Sequence, residues 1–250
     1  MQAVILLAGR GTRMRESHSG PKHLIALHGK PIIEHLLLSL PKSVDELILV
    51  VGGQHESVIR DYFGKRKDGR RVTYVVQGKP LGLGHAIQQT RDVVSGKFLV
   101  CLPDDVYCKS DLEKLSKAKG CALLVQKTDT PENFGIVVTD EKGNVINFVE
   151  KPKTFISNLA WTGAALFDED FFTVTVPPSN RGEIETADIL MKLVREKNRS
   201  VAIVEATYWF PINKPEELRR ARNELASQQK LADNGEMNSD SYRGRLHKIS

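Results

Sequence analysis

The stretch LLAGRGTRMRESHSGPKHL, residues 6–24, ends an apolar run at Gly9 and Gly11 and then sets out Arg13, Arg15 and Lys22 with Glu16 as the only acid among them. A strand that ends in glycines brings its backbone close to a ligand and leaves N–H groups pointing at oxygens, so cations beside it imply an anion. The dinucleotide fingerprint does not fit. Met14 stands where GxGxxG requires its third glycine, and Glu34, the acid at about the right distance, falls inside a helical pattern. A P-loop fails as well, because Lys22 follows Pro21 rather than a glycine. Asp104 and Asp105 follow the apolar run KFLVCL and, taken alone, read as an acidic turn after a strand. The seven histidines lack metal-ligand spacing. Cys101, Cys108 and Cys121 are odd in number and without CxxC spacing, which argues against a disulfide framework or a zinc site and for reduced thiols.

The elements that must carry these groups show in the hydropathy pattern. Short apolar runs at residues 2–8, 46–52, 72–76, 97–102 and 121–126 read as buried strands. Between them, residues 31–40, 55–63 and 83–94 read as helices, the first placing Ile32, Ile33, Leu36, Leu37 and Leu40 on one face. This alternation is that of an α/β sheet flanked by helices. After Pro131 the pattern turns to β: two strands within 135–150 joined by a turn at 140–144, further strands at 164–168 and 200–207, then a helix from 215 to about 228. The charged run KRKDGRR, 65–71, reads as a solvated loop. From residue 229 large apolar residues become sparse, so 1–228 is read as the domain and 229–250 as a mobile tail.

Composition narrows the partner. A chain of 250 residues, 40% hydrophobic and 27% charged, can bury a sizeable core. The net charge of +5 comes from 36 basic and 31 acidic residues that are interleaved, which suits a small anion better than nucleic acid. No apolar stretch has membrane-spanning length and no leader pattern opens the chain, so a cytoplasmic protein without membrane contact is expected.

The continuation of the glycine turn, "LAGRGTRM…GPKHLIALHGKPIIEHLL", resembles the sugar-1-phosphate nucleotidylyltransferase family. The resemblance runs on in order through QGKPLGLGHAI (77–87), LPDDVY (102–107), NFGIVV (133–138), VEKP (149–152), WTGAALFD (161–168), RGEIETADIL (181–190) and YWFPINKPEEL (208–218). It implies a Rossmann-like α/β fold, a mixed β-sheet flanked by helices with an additional small β region. It also implies magnesium-dependent attack of a sugar 1-phosphate on the α-phosphate of a nucleoside triphosphate, with pyrophosphate leaving. A homo-oligomer is compatible with it.

Such a reaction brings a phosphate dianion to a tetra-anionic nucleotide, so cations must offset repulsion and stabilise the charge on the reacting phosphorus. By resemblance Arg13 and Lys22 are the catalytic cations, the first a planar fork and the second a compact charge. Leu7, Ala8, Gly9, Gly11 and Thr12 would cradle the nucleotide, Gln77 would read a pyrimidine edge, and Gly82 would admit the base. Gly135, Glu150, Lys151 and Thr162 resemble the sugar-phosphate site. Asp104 resembles the metal-binding aspartate. Where many members carry a late WxDxGTPE segment this chain has WFPINKPE, and Pro211 cannot ligate, so the second metal ligand shifts to Asn213. Trp161 stands where many members place asparagine, which favours glucose 1-phosphate over an N-acetyl sugar. UTP or dTTP is the expected nucleotide. Two alternatives accompany this reading: a noncatalytic nucleotide-sugar sensor, and a CTP-dependent cytidylyltransferase acting on an alcohol phosphate such as phosphocholine.

Overall fold

The computed structural model of the chain describes residues 1–9 and 20–223. Gly11, Thr12, Arg13, Arg15 and the 229–250 segment lie outside the described residues.

The central strands are apolar on both faces, and both faces are covered. β1 (Gln2–Leu6) pairs in parallel with β4 (Glu46–Val51) on one side and β7 (Phe98–Cys101) on the other, and β4 pairs in parallel with β6 (Arg70–Val76). Side chains alternate across a strand, so Val4, Leu6, Ile48 and Val50 enter one core while Ala3, Ile5, Leu47 and Leu49 enter the other. The second core is closed by α1 (Ile32–Ser39), α2 (Glu56–Phe63) and α4 (Lys109–Ser116), through Ile33, Leu36, Leu37, Ile59, Phe63, Leu112 and Leu115. The first is closed by α3 (Leu83–Gln88) and α5 (Thr186–Glu196), through Ala86, Ile87, Ile189, Leu190 and Leu193. Phe167 stacks on Phe171 with ring centroids 4.8 Å apart and Phe98 on Phe172 at 5.6 Å, filling the same core.

The later strands extend this sheet. β12 (Leu159–Phe167) runs antiparallel to β7 and carries the hairpin of β10 (Gly135–Thr139) and β11 (Val145–Glu150) beyond it. β9 (Cys121–Lys127) also pairs with β12 and, in parallel, with β13 (Val201–Glu205). The expected mixed sheet flanked by helices is therefore what forms, and its additional β region is continuous with the sheet. Two short ribbons stand apart from this sheet: β2 (Ala26–Leu27) with β3 (Lys30–Pro31), and β8 (Asp105–Tyr107) with β14 (Trp209–Pro211).

Three expectations are corrected by the fold. Residues 65–71 form a hairpin in which β5 (Arg66–Lys67) pairs with β6 across Asp68 and Gly69, whose positive φ values of 50° and 80° are those an Asp-Gly turn supplies. The helix expected over 83–94 stops at Gln88, where the Thr90 hydroxyl bonds back to the Ile87 carbonyl at 2.7 Å. The strand expected at 164–168 begins at Leu159 and is interrupted by a register shift between Trp161 and Ala165. Residues 215–223 are helical as expected.

Candidate active site

Parallel strands place their carboxyl ends along one edge, and in open α/β sheets ligands bind in the crevice outside those ends. Along this edge β1 runs out into Leu7, Ala8 and Gly9, β4 into Gly52, β6 into Gln77, and β7 into Leu102, Pro103 and Asp104. Leu7 is buried and donates its amide to Val50, leaving Ala8 and Gly9 as the accessible end of the strand. A Cβ on Gly9 would meet nothing within 4 Å among the described residues, whereas one on Gly52 would lie 2.7 Å from the Gln77 carbonyl oxygen. The close approach along this edge thus falls at Gly52, which lets β4 and β6 end side by side.

Asp104 and Asn213 are 109 positions apart in sequence and meet through the β8–β14 ribbon. Asp105 pairs with Pro211 in register, and the Ile212 amide donates to the Asp104 carbonyl at 3.1 Å. The Lys22 ammonium, carried by a single 3-10 turn at Lys22–Leu24, enters between the two side chains. It donates to Asp104 Oδ2 and, at 3.2 Å, to Asn213 Oδ1. The Lys22 and Asp104 side chains are only 11% and 21% exposed, so this ion pair is shielded far better than a surface pair. A carboxylate oxygen and an amide oxygen already converge on a cation here, which is the donor set a hard divalent ion takes.

Asp105 faces the other way. Its carboxylate accepts from Trp209 Nε1 at 2.8 Å and from the Tyr107 hydroxyl at 3.3 Å. Burial, with the neighbouring Asp104 charge, raises its pKa well above the usual carboxylate range. Asp105 therefore fastens β8 to β14 from below, and Asp104 is the carboxylate presented at the crevice.

His23 was not singled out by spacing. It is buried, its Nε2 has no hydrogen-bond partner among the described residues, and burial lowers its pKa to about 4. The unfolded chain takes up this proton near pH 6.5 while the folded chain refuses it until about pH 4. Stability should therefore fall as pH drops from 6.5 towards 4, and His23→Asn should flatten that part of a chemical-denaturation profile. An unchanged slope would show that another group carries it.

At the other end of the edge, the Gln77 side chain is buried, and its Nε2 lies 3.3 Å from the Gly82 carbonyl oxygen and 2.9 Å from His85 Nδ1. Gly82 takes a φ of +100°, and a Cβ there would meet Glu183 and Ile184 at 2.9 Å. Packing against 183–184 thus already requires a glycine at this position. Gly84 is tighter still: a Cβ there would lie 2.7 Å from the Ile184 carbonyl oxygen and 2.9 Å from the Glu185 carbonyl carbon. Because both obstacles are backbone, Gly84→Ala should cost about 1–3 kcal/mol of stability. A melting temperature within a degree of the parent would show that the 183–185 segment yields freely.

Glu150 ends β11 opposite Gly135, and a Cβ on that glycine would come within 2.8 Å of Glu150 Oε2. Arg181 reaches Glu150 at 3.4 Å, Glu183 at 2.8 Å and Glu185 at 3.3 Å, and Lys151 approaches Glu150 at 3.9 Å. Burial raises the Glu150 pKa, and the Lys151 and Arg181 charges oppose the shift. Thr162 is fully buried, and its hydroxyl donates to the Leu124 carbonyl at 2.9 Å inside the sheet. Trp161 is likewise internal, packed edge-on against Phe148 with Nε1 donating to the Ala164 carbonyl at 2.9 Å.

This geometry lies within a known family's span. A family model described as nucleotidyl transferase matches residues 2–228. The chain belongs to the nucleotidyl transferase family. The Bifunctional protein GlmU of Methanococcus maripaludis is 36% identical over 228 residues, covering 89% of this chain and 54% of the relative. The UTP--glucose-1-phosphate uridylyltransferase AglF of Haloferax volcanii is 32% identical over 236 residues, covering 90% of this chain and 96% of the relative. A crystal structure of a Bacillus anthracis protein described as a putative glucose-1-phosphate thymidylyltransferase superposes with a TM-score of 0.77 at 28% identity, covering 89% of this chain and 94% of that one. The chain spans about half the length of the first-ranked curated relatives it matches. Among the described residues of this nucleotidyl transferase, no helix is long and apolar enough to cross a membrane.

Proposed function

We propose that the protein joins a pyrimidine nucleoside triphosphate, UTP or dTTP, to a sugar 1-phosphate, with glucose 1-phosphate the first substrate to test. A sugar-phosphate oxygen attacks the α-phosphorus, the bond to the bridging oxygen breaks, and pyrophosphate leaves with its electron pair. The observation that carries this reading is the convergence of Lys22, Asp104 and Asn213 at the carboxyl edge of the sheet. Their chemistry is what phosphoryl transfer needs, and the attacking phosphate is already ionised near neutral pH, so no general base is required. Asp104 and Asn213 fit magnesium through their oxygens, and when bound the ion would supply charge neutralisation on the phosphates. Lys22 and Arg13 would hold and stabilise the reacting phosphate oxygens, Gly9, Gly11 and Thr12 would cradle the nucleotide, and Glu150 and Lys151 beside Gly135 would hold the sugar phosphate. We assign this work to residues 1–228 and a dispensable role to 229–250. Buried free thiols at Cys101 and Cys121 suit the reducing cytoplasm.

Four nucleoside triphosphates crossed with several sugar 1-phosphates and phosphocholine, read by pyrophosphate release alongside nucleotide-sugar binding by calorimetry, test the proposal. Turnover confined to UTP or dTTP supports it, CTP with phosphocholine would move it to an alcohol phosphate, and binding without turnover would leave a sensor. Gln77→Ala should relax the preference for pyrimidines more than it lowers kcat. Unchanged kcat/KM ratios between nucleotides would remove Gln77 from base recognition.

A further inference from the structure

We propose that Lys22 is the resident cation of the Asp104–Asn213 pair, and that a divalent metal enters by displacing it towards the substrate phosphates. The inference rests on the function proposed above and deepens it. Lys22 Nζ donates to Asp104 Oδ2 and, at 3.2 Å, to Asn213 Oδ1, so one ammonium spans both oxygens. Magnesium takes oxygen donors of the same kind, so it would compete with the ammonium for these two oxygens. Repulsion between like charges disfavours both cations on the pair at once. The Lys22 and Asp104 side chains are largely shielded, so their attraction is screened less than that of a surface pair.

Displacement has a direction. The β8–β14 ribbon fixes Asp104 and Asn213 through main-chain bonds and the buried Asp105–Trp209 link, whereas Lys22 stands on a single 3-10 turn with a four-carbon stem. The oxygens stay and the ammonium moves. Metal entry and the freeing of a cation for phosphate then become one event, so Lys22 is withheld from phosphates until the metal is in place. By linkage, phosphate that draws Lys22 away raises metal affinity equally.

Two measurements on the full chain test this. Reductive methylation of Lys22, followed by mass spectrometry, should be slow in wild-type protein and accelerate several-fold on adding magnesium alone; in Asp104→Asn it should be fast without metal. Lys22→Met should bind Mn2+, read by electron paramagnetic resonance, about tenfold more tightly than wild type if Lys22 holds the site nine-tenths of the time. Tighter binding by Lys22→Met together with unchanged methylation of wild-type Lys22 would overturn the proposal, since loss of a nearby charge alone accounts for it. Methylation unchanged by magnesium overturns it in every case, including one where Lys22→Met fails to fold. Wild-type pyrophosphate release is scored separately: turnover without metal-dependent methylation defeats only this inference, and accelerated methylation without turnover of any pair defeats only the proposed function.

Discussion

Lys22→Ala and Arg13→Ala should each lower kcat by on the order of a hundredfold or more, the scale seen when one preorganised charge-stabilising group is lost from a water-poor site. Arg15→Ala should change little. If the two cations act mainly on charge that develops in the transition state, raising substrate will not rescue them. For Lys22 the expectation has a structural basis in its shielded place between Asp104 and Asn213. For Arg13 it rests on the GRGTRM motif, of which residues 10–14 lie outside the described residues. Kinetics in saturating magnesium, after each variant is shown to be folded, decide the matter. A rise in KM with kcat intact would make the segment a binding cradle.

The adjacent aspartates should behave oppositely. Asp104→Asn should lower metal-dependent turnover by on the order of a hundredfold or more with little change in melting temperature, because its side chain meets Lys22 at the crevice and holds nothing of the core together. Asp105→Asn should keep a measurable fraction of activity, because burial already favours an uncharged carboxyl there and the amide oxygen can still accept from Trp209. Asp105→Leu strands the buried Trp209 donor, while the Tyr107 hydroxyl keeps the Thr162 carbonyl at 3.0 Å, and should cost about 1–3 kcal/mol. Activity surviving in Asp104→Asn and vanishing in a folded Asp105→Asn would transfer the ligand role to Asp105.

What the sequence made legible follows from burial. β1 and β4 are apolar at every interior position because helices cover both faces of the sheet, whereas a strand with one wet face would alternate. Neighbours on an extended chain diverge, and the two carboxylates do point to the Lys22 crevice and to Trp209 respectively, but it was the resemblance of LPDD to the family that singled out Asp104. The ribbon that joins them to Asn213 was hidden, since three-residue strands such as β8 and β14 carry no readable period. At Gly82 and Thr162 the motifs left the packing unread for a different reason. Motif position says where a residue lies in the chain but not which side of it is filled, and here 183–184 fill one and the sheet the other. His23 and Gly52 carry their signal only in three dimensions, as a buried imidazole beside the ion pair and a glycine under the Gln77 carbonyl.

The central claim is that this site joins a nucleotide to a sugar phosphate, and phosphorus NMR of UTP and glucose 1-phosphate incubated with the protein and magnesium tests it most directly. Pyrophosphate and a nucleotide diphosphate sugar should appear in equal amounts, only when both substrates and magnesium are present, with dTTP tried in the same way. Pyrophosphate or orthophosphate released without the sugar phosphate, or no product from either pyrimidine nucleotide with any sugar 1-phosphate, would contradict it.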